Sequence, residues 1–246
     1  MEIISLLEAS PPLLIVICTV LGLLVGSFLN VVVYRLPIML QRDWKEQCCE
    51  YLEIENTVPD SNESSAKFKV FNLQKPDSHC PLCNHKIRPW ENIPVFSYLF
   101  LGGKCSSCKS KISLRYPSVE FVSGVMSGLV AFSFGASLLT LALLLFTWSL
   151  IALTLIDFDH QLLPDNITLP LLWLGVLVNT LDLGFGVSLR DSVIGVIAGY
   201  LVLWSFYWLF KLATGKEGMG YGDFKLLAAL GAWMGWQALL PIVILS

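Results

Sequence analysis

The sequence ASLLTLALLLFTWSLIALTLI, from Ala136 to Ile156, contains no charged residue along its whole length. A helix needs about 20 mostly apolar residues to cross a bilayer, so this stretch predicts a transmembrane helix. The composition agrees, since 55% of the 246 residues are hydrophobic and 14% are charged, whereas soluble domains carry about a quarter charged residues. The chain is therefore predicted to be a membrane protein.

Further apolar stretches lie on both sides of this one. They are Leu13–Tyr34, Val119–Gly135, the shorter Ile167–Leu181, Val193–Leu212, Phe224–Met234 and a run that starts at Trp236. We therefore predict an all-α polytopic protein with about six to seven transmembrane helices. The first ten residues contain Glu2 and Glu8 but no Lys or Arg, so a cleavable signal peptide, which needs a positive start, is not expected there.

The basic residues predict the orientation in the membrane, because Lys and Arg collect on the cytosolic side. Twelve of the 16 lie between Arg35 and Arg115, in a polar loop that follows the first span. Alternating the spans places three more on that side and one opposite: Lys211, Lys216 and Lys225 against Arg190. The N-terminus is therefore predicted to be periplasmic. The domains would be an N-terminal helix (1–37), a cytosolic loop (38–118) and a membrane-embedded core (119–246).

Two CxxC pairs stand out in this loop, formed by Cys80, Cys83, Cys105 and Cys108. Each pair is followed by Lys three residues on and Ile four residues on, which indicates a small internal repeat. Four thiolates at this spacing are typical of a tetrahedral, structural zinc site. A redox role is the alternative, although redox CxxC motifs usually occur singly. His79 or His85 could replace one ligand, but both are better interpreted as surface residues.

Two aspartates lie at the cytosolic ends of predicted spans. Asp157 directly follows the uncharged stretch, and Asp223 follows the glycine-rich run Gly218-Met-Gly220-Tyr-Gly222. Ionisable residues at membrane spans are functional by default. Two adjacent carboxylates sharing one proton can act as general base and general acid. The glycines allow positive φ and let an extended substrate backbone approach closely.

Structural explanations compete for the acidic residues around these positions. Asp223 or Asp165 could cap a helix N-terminus, and we favour the cap for Asp165 because it follows a proline and precedes an apolar run. Asp159 and His160 could be solvated interface residues. Asp157 fits no such role, since a helix C-terminus disfavours an anion.

Six motifs spread along nearly the whole chain carry a further signal. They are GLLVGSFLNVVVYRLP (22–37), RPWENIP (88–94), GGKCSSC (102–108), RYPSVE (115–120), IDFDHQLLPD (156–165) and GMGYGDFK (218–225). Together they resemble the type IV prepilin peptidase family of GxGD aspartic proteases. The resemblance implies that Asp157, rather than Asp159, and Asp223 are catalytic. Gly220, Gly222 and Lys225 belong to the supporting motif.

The resemblance also implies the substrates and a second activity. Members of this family are enzymes of the bacterial inner membrane that remove a short basic leader after a Gly from type IV prepilins and pseudopilins. Members with the four-cysteine loop also methylate the new N-terminus with S-adenosylmethionine. No GxGxxG motif locates that donor, and the turn at Gly102 and Gly103 is our guess for its site. Acidic residues of the loop could attract the leader, although we favour a solvated charge run as their explanation: Glu46, Glu50, Glu53 and Glu55.

Three expectations complete the sequence-based interpretation. Members of the family usually continue through further membrane helices, so the chain is expected to be truncated at Ser246. The sequence has no basic stripe interleaved with aromatic residues, so a nucleic-acid partner is not expected. The competing classes are a zinc-ribbon scaffold of a pilus or type II secretion assembly and a proton-coupled transporter. Neither accounts for carboxylates placed at the ends of spans.

Overall fold

The computed structural model describes residues 10–53, 71–216 and 218–245. This part of the chain consists of helices and connecting loops, without extended strands, as the sequence predicts. The helices are α1 (Pro11–Tyr51), α2 (Phe96–Phe100), α3 (Arg115–Phe134), α4 (Leu138–His160), α5 (Asp165–Thr180), α6 (Leu189–Thr214), α7 (Tyr221–Met234) and α8 (Leu239–Leu245). Short 3-10 turns occupy Pro89–Asn92 and Trp236–Ala238.

Four of the helices in the described ranges are long and apolar enough to cross a membrane, namely α1, α3, α4 and α6. Helices α5 and α7, with 16 and 14 residues, are slightly shorter than the about 17–25 residues of a typical membrane-crossing helix. The chain divides into two compact units. Unit A is Ile15–Leu129, and unit B is Val130–Ser246 together with Met1–Leu14.

Helix α1 is longer than the sequence predicts. The first span was expected to end at Arg35 and Pro37, but the helix continues through both residues to Tyr51. Arg35 is tolerated because its buried guanidinium donates hydrogen bonds to the backbone oxygens of Asn72 (3.0 Å) and Pro76 (2.6 Å). The start of the predicted cytosolic loop (38–118) is thus helical, and its residues 54–70 lie outside the described part.

Small residues let α1 and α3 approach closely inside unit A. A Cβ atom added to Gly22 would lie 2.3 Å from the Oγ atom of Ser127, and one added to Gly26 would lie 2.9 Å from the Cβ atom of Ser123. Membrane helices gain no hydrophobic free energy by leaving lipid, so they associate through such close backbone contacts.

Close backbone contacts at small residues also hold α7 between α5 and α6 in unit B. A Cβ atom on Gly231 of α7 would lie 2.3 Å from the backbone oxygen of Gly195 on α6. Ser192 Oγ and Asn179 Nδ2 each donate a hydrogen bond of 2.7 Å to the backbone oxygen of Ala232. Helix α7 is therefore held by α6 on one side and by α5 on the other.

The glycine contact predicts the effect of adding one methyl group. In Gly231→Ala, the Gly195 backbone must move, and we expect a loss of about 1–3 kcal/mol in the free energy of unfolding, the range for overpacked sites. Ala213→Val, which adds volume at an exposed position of α6, is the control. Thermal unfolding in detergent would measure both, and equal stability of the two variants would contradict the packing argument.

Candidate functional site

Unit B brings Asp157 and Asp223 into electrostatic contact. Asp157 lies in the last turn of α4, where the backbone N–H of Gln161 donates to its carbonyl oxygen (2.8 Å) and ends the helix. Asp223 is the third residue of α7, and its backbone N–H donates to Gly220 O (3.3 Å). The negative charge of Asp157 acts on the Asp223 carboxyl group. Two carboxylates 66 positions apart in sequence thus meet at the ends of two helices.

The two aspartates differ in their surroundings. Asp157 is exposed, whereas Asp223 is half-buried and is followed by the fully buried Phe224. The Phe224 ring packs against Tyr207 and Tyr221, with ring centroids 5.8 and 5.7 Å apart. This aromatic cluster fixes the first turn of α7 and hence the position of Asp223.

A polar chain that the sequence analysis missed joins α6 to the start of α7. Lys211 Nζ donates to the hydroxyl of the buried Tyr207 (3.2 Å), and the Tyr221 hydroxyl donates to that same oxygen (3.4 Å). The signal for the first contact was present, because Tyr207 and Lys211 are four residues apart on a helix and so share a face. The contact with Tyr221 depends on how the two helices pack.

Lys225 and Asp165 form an ion pair between α7 and α5. Both carboxylate oxygens of Asp165 accept hydrogen bonds from Lys225 Nζ, at 2.8 and 2.7 Å. The interpretation of Asp165 as an N-cap was wrong, because Pro164 is the cap and Asp165 is the first helical residue. Its charge still suits a helix N-terminus, but its side chain binds Lys225.

The glycines before Asp223 serve close approach rather than unusual backbone angles. Gly220 has φ −80° and Gly222 lies within α7, so neither uses the positive φ that glycine allows. A Cβ atom on Gly222 would lie 2.7 Å from Leu163 Cβ, and one on Gly218 would lie 2.9 Å from the Phe210 ring. A Cβ atom on Gly220 would meet nothing closer than the Asp223 carboxylate, at 3.6 Å.

A four-cysteine cluster lies in unit A. The Sγ atoms of Cys80, Cys83, Cys105 and Cys108 all lie within 4.8 Å of one another. Two of the sulfur pairs are 3.8 and 3.9 Å apart. Tetrahedral zinc with Zn–S bonds of about 2.3 Å places its sulfurs about 3.8 Å apart. The four side chains therefore fit a zinc ion.

The two CxxC segments have the same backbone structure. In each, the first cysteine N–H donates to the carbonyl oxygen five residues on, which is His85 O in one segment (2.9 Å) and Ser110 O in the other (2.8 Å). The residue four positions after the first cysteine has positive φ, 56° at Asn84 and 58° at Lys109. The internal repeat seen in the sequence is thus a repeated fold, which we call the two knuckles.

The surroundings of the sulfurs suit a cation. The backbone N–H groups of Cys83 and Leu82 lower the pKa of Cys80 to about 6, which favours the thiolate that binds metal. At Cys83, a backbone hydrogen bond from His85 lowers the pKa of the thiol. Burial and the neighbouring cysteines raise it, and the net result is a pKa of about 11. A positive charge between the sulfurs would therefore favour the thiolate form that binds metal.

The histidines beside the first knuckle have partners of their own. His85 Nε2 lies 3.3 Å from Glu91 Oε2, and His79 Nδ1 lies 3.0 Å from the Asp77 backbone oxygen. The same Glu91 oxygen accepts the Arg88 backbone N–H (3.0 Å), and this bond lowers the pKa of Glu91. Neither histidine belongs to the group of possible metal ligands found in the described residues.

Gly102 and Gly103 form the turn that leads into the second knuckle. Both have positive φ, 60° and 67°, and a Cβ atom on Gly103 would lie 2.7 Å from the Tyr98 hydroxyl oxygen. The Gly103 carbonyl oxygen accepts the Ile112 N–H (2.8 Å). The turn therefore needs glycine for structural reasons, and a donor site there stays a prediction.

Family models match most of the chain in two parts. Residues 20–134 match the bacterial peptidase A24 N-terminal domain, which contains the knuckles. Residues 144–246 match the type IV leader peptidase family and contain both aspartates. No solved structure matches the chain significantly.

Curated relatives carry the name prepilin leader peptidase/N-methyltransferase. The one from Stutzerimonas stutzeri is 59% identical over 239 residues, which cover 97% of this chain and 79% of the relative. The one from Pseudomonas aeruginosa is 58% identical, with 96% and 78% covered. The one from Neisseria gonorrhoeae is 52% identical, with 98% and 81% covered.

The sulfur geometry predicts that metal removal loosens the knuckles. Cys108→Ser should lower the bound zinc and raise the rate of trypsin cleavage between Cys80 and Ile112, because small metal sites order the loops around them. Cys48→Ser, at an equally exposed position of α1, is the control. Elemental analysis and limited proteolysis would measure both effects. An unchanged digestion pattern in Cys108→Ser would contradict the structural role.

Proposed function

We propose, because the chain belongs to the type IV leader peptidase family, that it removes the leader peptides of prepilins and pseudopilins and then methylates the new N-terminus. The peptidase activity is supported by the proximity of Asp157 and Asp223 at the ends of α4 and α7. The names of the relatives support the substrate and the second activity.

The two carboxyl groups divide the work of peptide hydrolysis. The ionised one takes a proton from water, and the resulting hydroxide attacks the scissile carbonyl carbon. The protonated one donates to the carbonyl oxygen, whose charge develops in the transition state. Two like charges close together resist ionising at the same time, so in this proposal the pair shares one proton at the outset. The base then returns its proton to the leaving amine nitrogen as the C–N bond breaks. The exposure of Asp157 gives water access to the pair.

The backbone around Asp223 suits an extended substrate. Gly220 carries no side chain, and the space a Cβ atom would occupy there is open except for the Asp223 carboxylate. A substrate strand can therefore pass close to the backbone beside the catalytic group. The aromatic cluster and the Lys225–Asp165 pair hold this turn in place from two sides.

We also propose that the four cysteine sulfurs bind a structural zinc ion. All four ligands come from the chain, so no coordination position remains for substrate. Zinc would supply the charge that keeps the two knuckles together, and it takes no part in hydrolysis.

The location completes the proposal. The four long apolar helices and the family membership suit the bacterial inner membrane, and the basic residues favour a periplasmic N-terminus with the aspartates facing the cytoplasm. Leaders stay on that side because they are basic. S-adenosylmethionine is the proposed methyl donor, and the loop 38–118 with its Gly102–Gly103 turn is the proposed region for its site.

Replacing either carboxyl group tests the peptidase. Asp157→Asn and Asp223→Asn should each lower the rate of prepilin cleavage by about 10²–10⁴-fold or more, because a positioned acid or base accelerates a reaction by about that factor. Asp159→Asn, an exposed neighbour on the same helix, should cleave at the parent rate. The full chain would be reconstituted with a tagged prepilin and the leader loss read by mass. Full activity in either of the first two variants would remove that aspartate from the mechanism.

The same assay separates the two activities. Methylation needs the amine that cleavage releases, so Asp157→Asn should leave a prepilin unmethylated. When an already mature pilin is supplied with S-adenosylmethionine, the variant should transfer the methyl group as the parent does. Failure with mature pilin would mean that the aspartate also serves methyl transfer, or that the variant is misfolded, which its thermal unfolding would reveal.

The Lys225–Asp165 pair predicts a coupled effect on the rate. Lys225→Met and Asp165→Asn should each slow cleavage several-fold, because the turn beside Asp223 loses its connection to α5. The double variant should be no slower than the worse single variant, since both changes break one contact. Stability should change by less than about 1 kcal/mol, because the pair is partly exposed. Additive losses in rate would show that the residues act separately.

A further inference from the structure

The short helix α2 in unit A presents an uncovered apolar face. Phe96, Leu99 and Phe100 are 54%, 68% and 87% exposed. Their spacing of three and four residues places them on one side of the helix. Tyr98 points the other way, with its hydroxyl 3.5 Å from the Ile112 backbone oxygen of the second knuckle. Two phenylalanines and a leucine on a polar loop therefore need a covering partner.

The attachment of α2 shows its depth relative to the membrane. The Val95 N–H, directly before α2, donates to the Glu120 carboxylate at 2.8 Å. Glu120 lies five residues inside the membrane helix α3, which begins at Arg115. At about 1.5 Å per residue this is about 7 Å along the helix from its start. The start of α2 is thus level with the first turns of a membrane span.

The turn before α2 has an unusual backbone conformation. Val95 has φ 62° and ψ −49°, and the Phe96 N–H bonds back to Pro94 O at 2.6 Å. This three-residue turn is rare and strained, above all for a β-branched residue. The bond to the buried Glu120 stabilises it. The chain therefore holds a strained conformation at the start of α2, where it is bonded to Glu120 of α3.

The charge around α2 indicates the partner. Residues 79–118 contain six basic residues and one acidic residue, Glu91, which is bonded to His85 and to the Arg88 backbone. All six basic residues are exposed: Lys86, Arg88, Lys104, Lys109, Lys111 and Arg115. Apolar side chains at headgroup depth, in a segment rich in exposed basic residues, are typical of interfacial membrane anchors on anionic lipids.

We propose that α2 is an interfacial anchor. Phe96, Leu99 and Phe100 insert into the boundary between headgroups and acyl chains of the leaflet in which α3 begins, and Lys104 and Lys111 contact its anionic headgroups. The knuckles are thereby fastened to the membrane surface. This inference does not depend on the peptidase activity, since it concerns a surface of unit A that neither aspartate belongs to.

A photoreactive side chain tests the contact directly. Phe100 would be replaced by p-benzoylphenylalanine in the full zinc-loaded chain, reconstituted in nanodiscs of phosphatidylcholine with phosphatidylglycerol. After irradiation, mass spectrometry should find lipid adducts on the peptide that contains position 100. The matched control is Tyr51, whose exposure of 88% equals that of Phe100. Tyr51 lies 21 residues beyond Asn30, about 30 Å along α1, and Asn30 bonds to Tyr116 at the start of α3.

Lipid adducts should be several-fold more frequent at position 100 than at position 51. Equal frequencies, or none at position 100, would overturn the proposal. Crosslinks from position 100 to protein, whether a second copy or an added pilin, would assign the face to that partner instead and would equally overturn it.

A second experiment tests whether the basic residues contact anionic headgroups. In the parent, phosphatidylglycerol should be enriched among the adducts relative to its share of the bilayer. Lys104→Glu with Lys111→Glu should abolish this enrichment, whereas Lys75→Glu, exposed on the same unit but outside the basic segment, should preserve it. Enrichment that persists in the double variant, or is absent from the parent, would overturn the role of the headgroup contacts.

Discussion

The contact between Gly195 and Gly231 is the constraint on which unit B depends. Backbone atoms of α6 and α7 meet there with no room for a methyl group. Hydrogen bonds from Ser192 and Asn179 then converge on the next carbonyl, that of Ala232. Helix α7 has only 14 residues, so its position comes from these neighbours rather than from its own span. The placement of Asp223 beside Asp157 is a consequence of that packing.

Most of the fold follows from hydropathy, but its details follow from contacts that a single sequence does not display. The uncharged stretch before Asp157 predicted α4 correctly, since lipid admits few other structures there. The end of α1 was missed, because Arg35 and Pro37 read as a boundary until the carbonyl groups that bind Arg35 are known. Distant partners of this kind leave no local periodic signal.

The candidate site shows the same division. The residue types and spacing of Asp157, Asp223 and the cysteines were sufficient to single them out. The role of Asp165 could not be identified in this way, because capping and ion pairing use the same side chain. Only the packing of α5 against α7 decides between them. The glycines were noted for a backbone freedom that they do not use. Their value lies in the atoms that neighbouring residues place where a side chain would be.

Helix α1 has a mechanical consequence. Its 41 residues form a rod about 60 Å long, whereas the hydrocarbon core is about 30 Å thick. About half of the rod therefore extends past the lipid and acts as a lever. A change of tilt by about 10° would carry its far end sideways by about 5 Å for each 30 Å of helix. Bilayers of different thickness, which set the tilt of such helices, would in this way shift the far end of α1 at Tyr51.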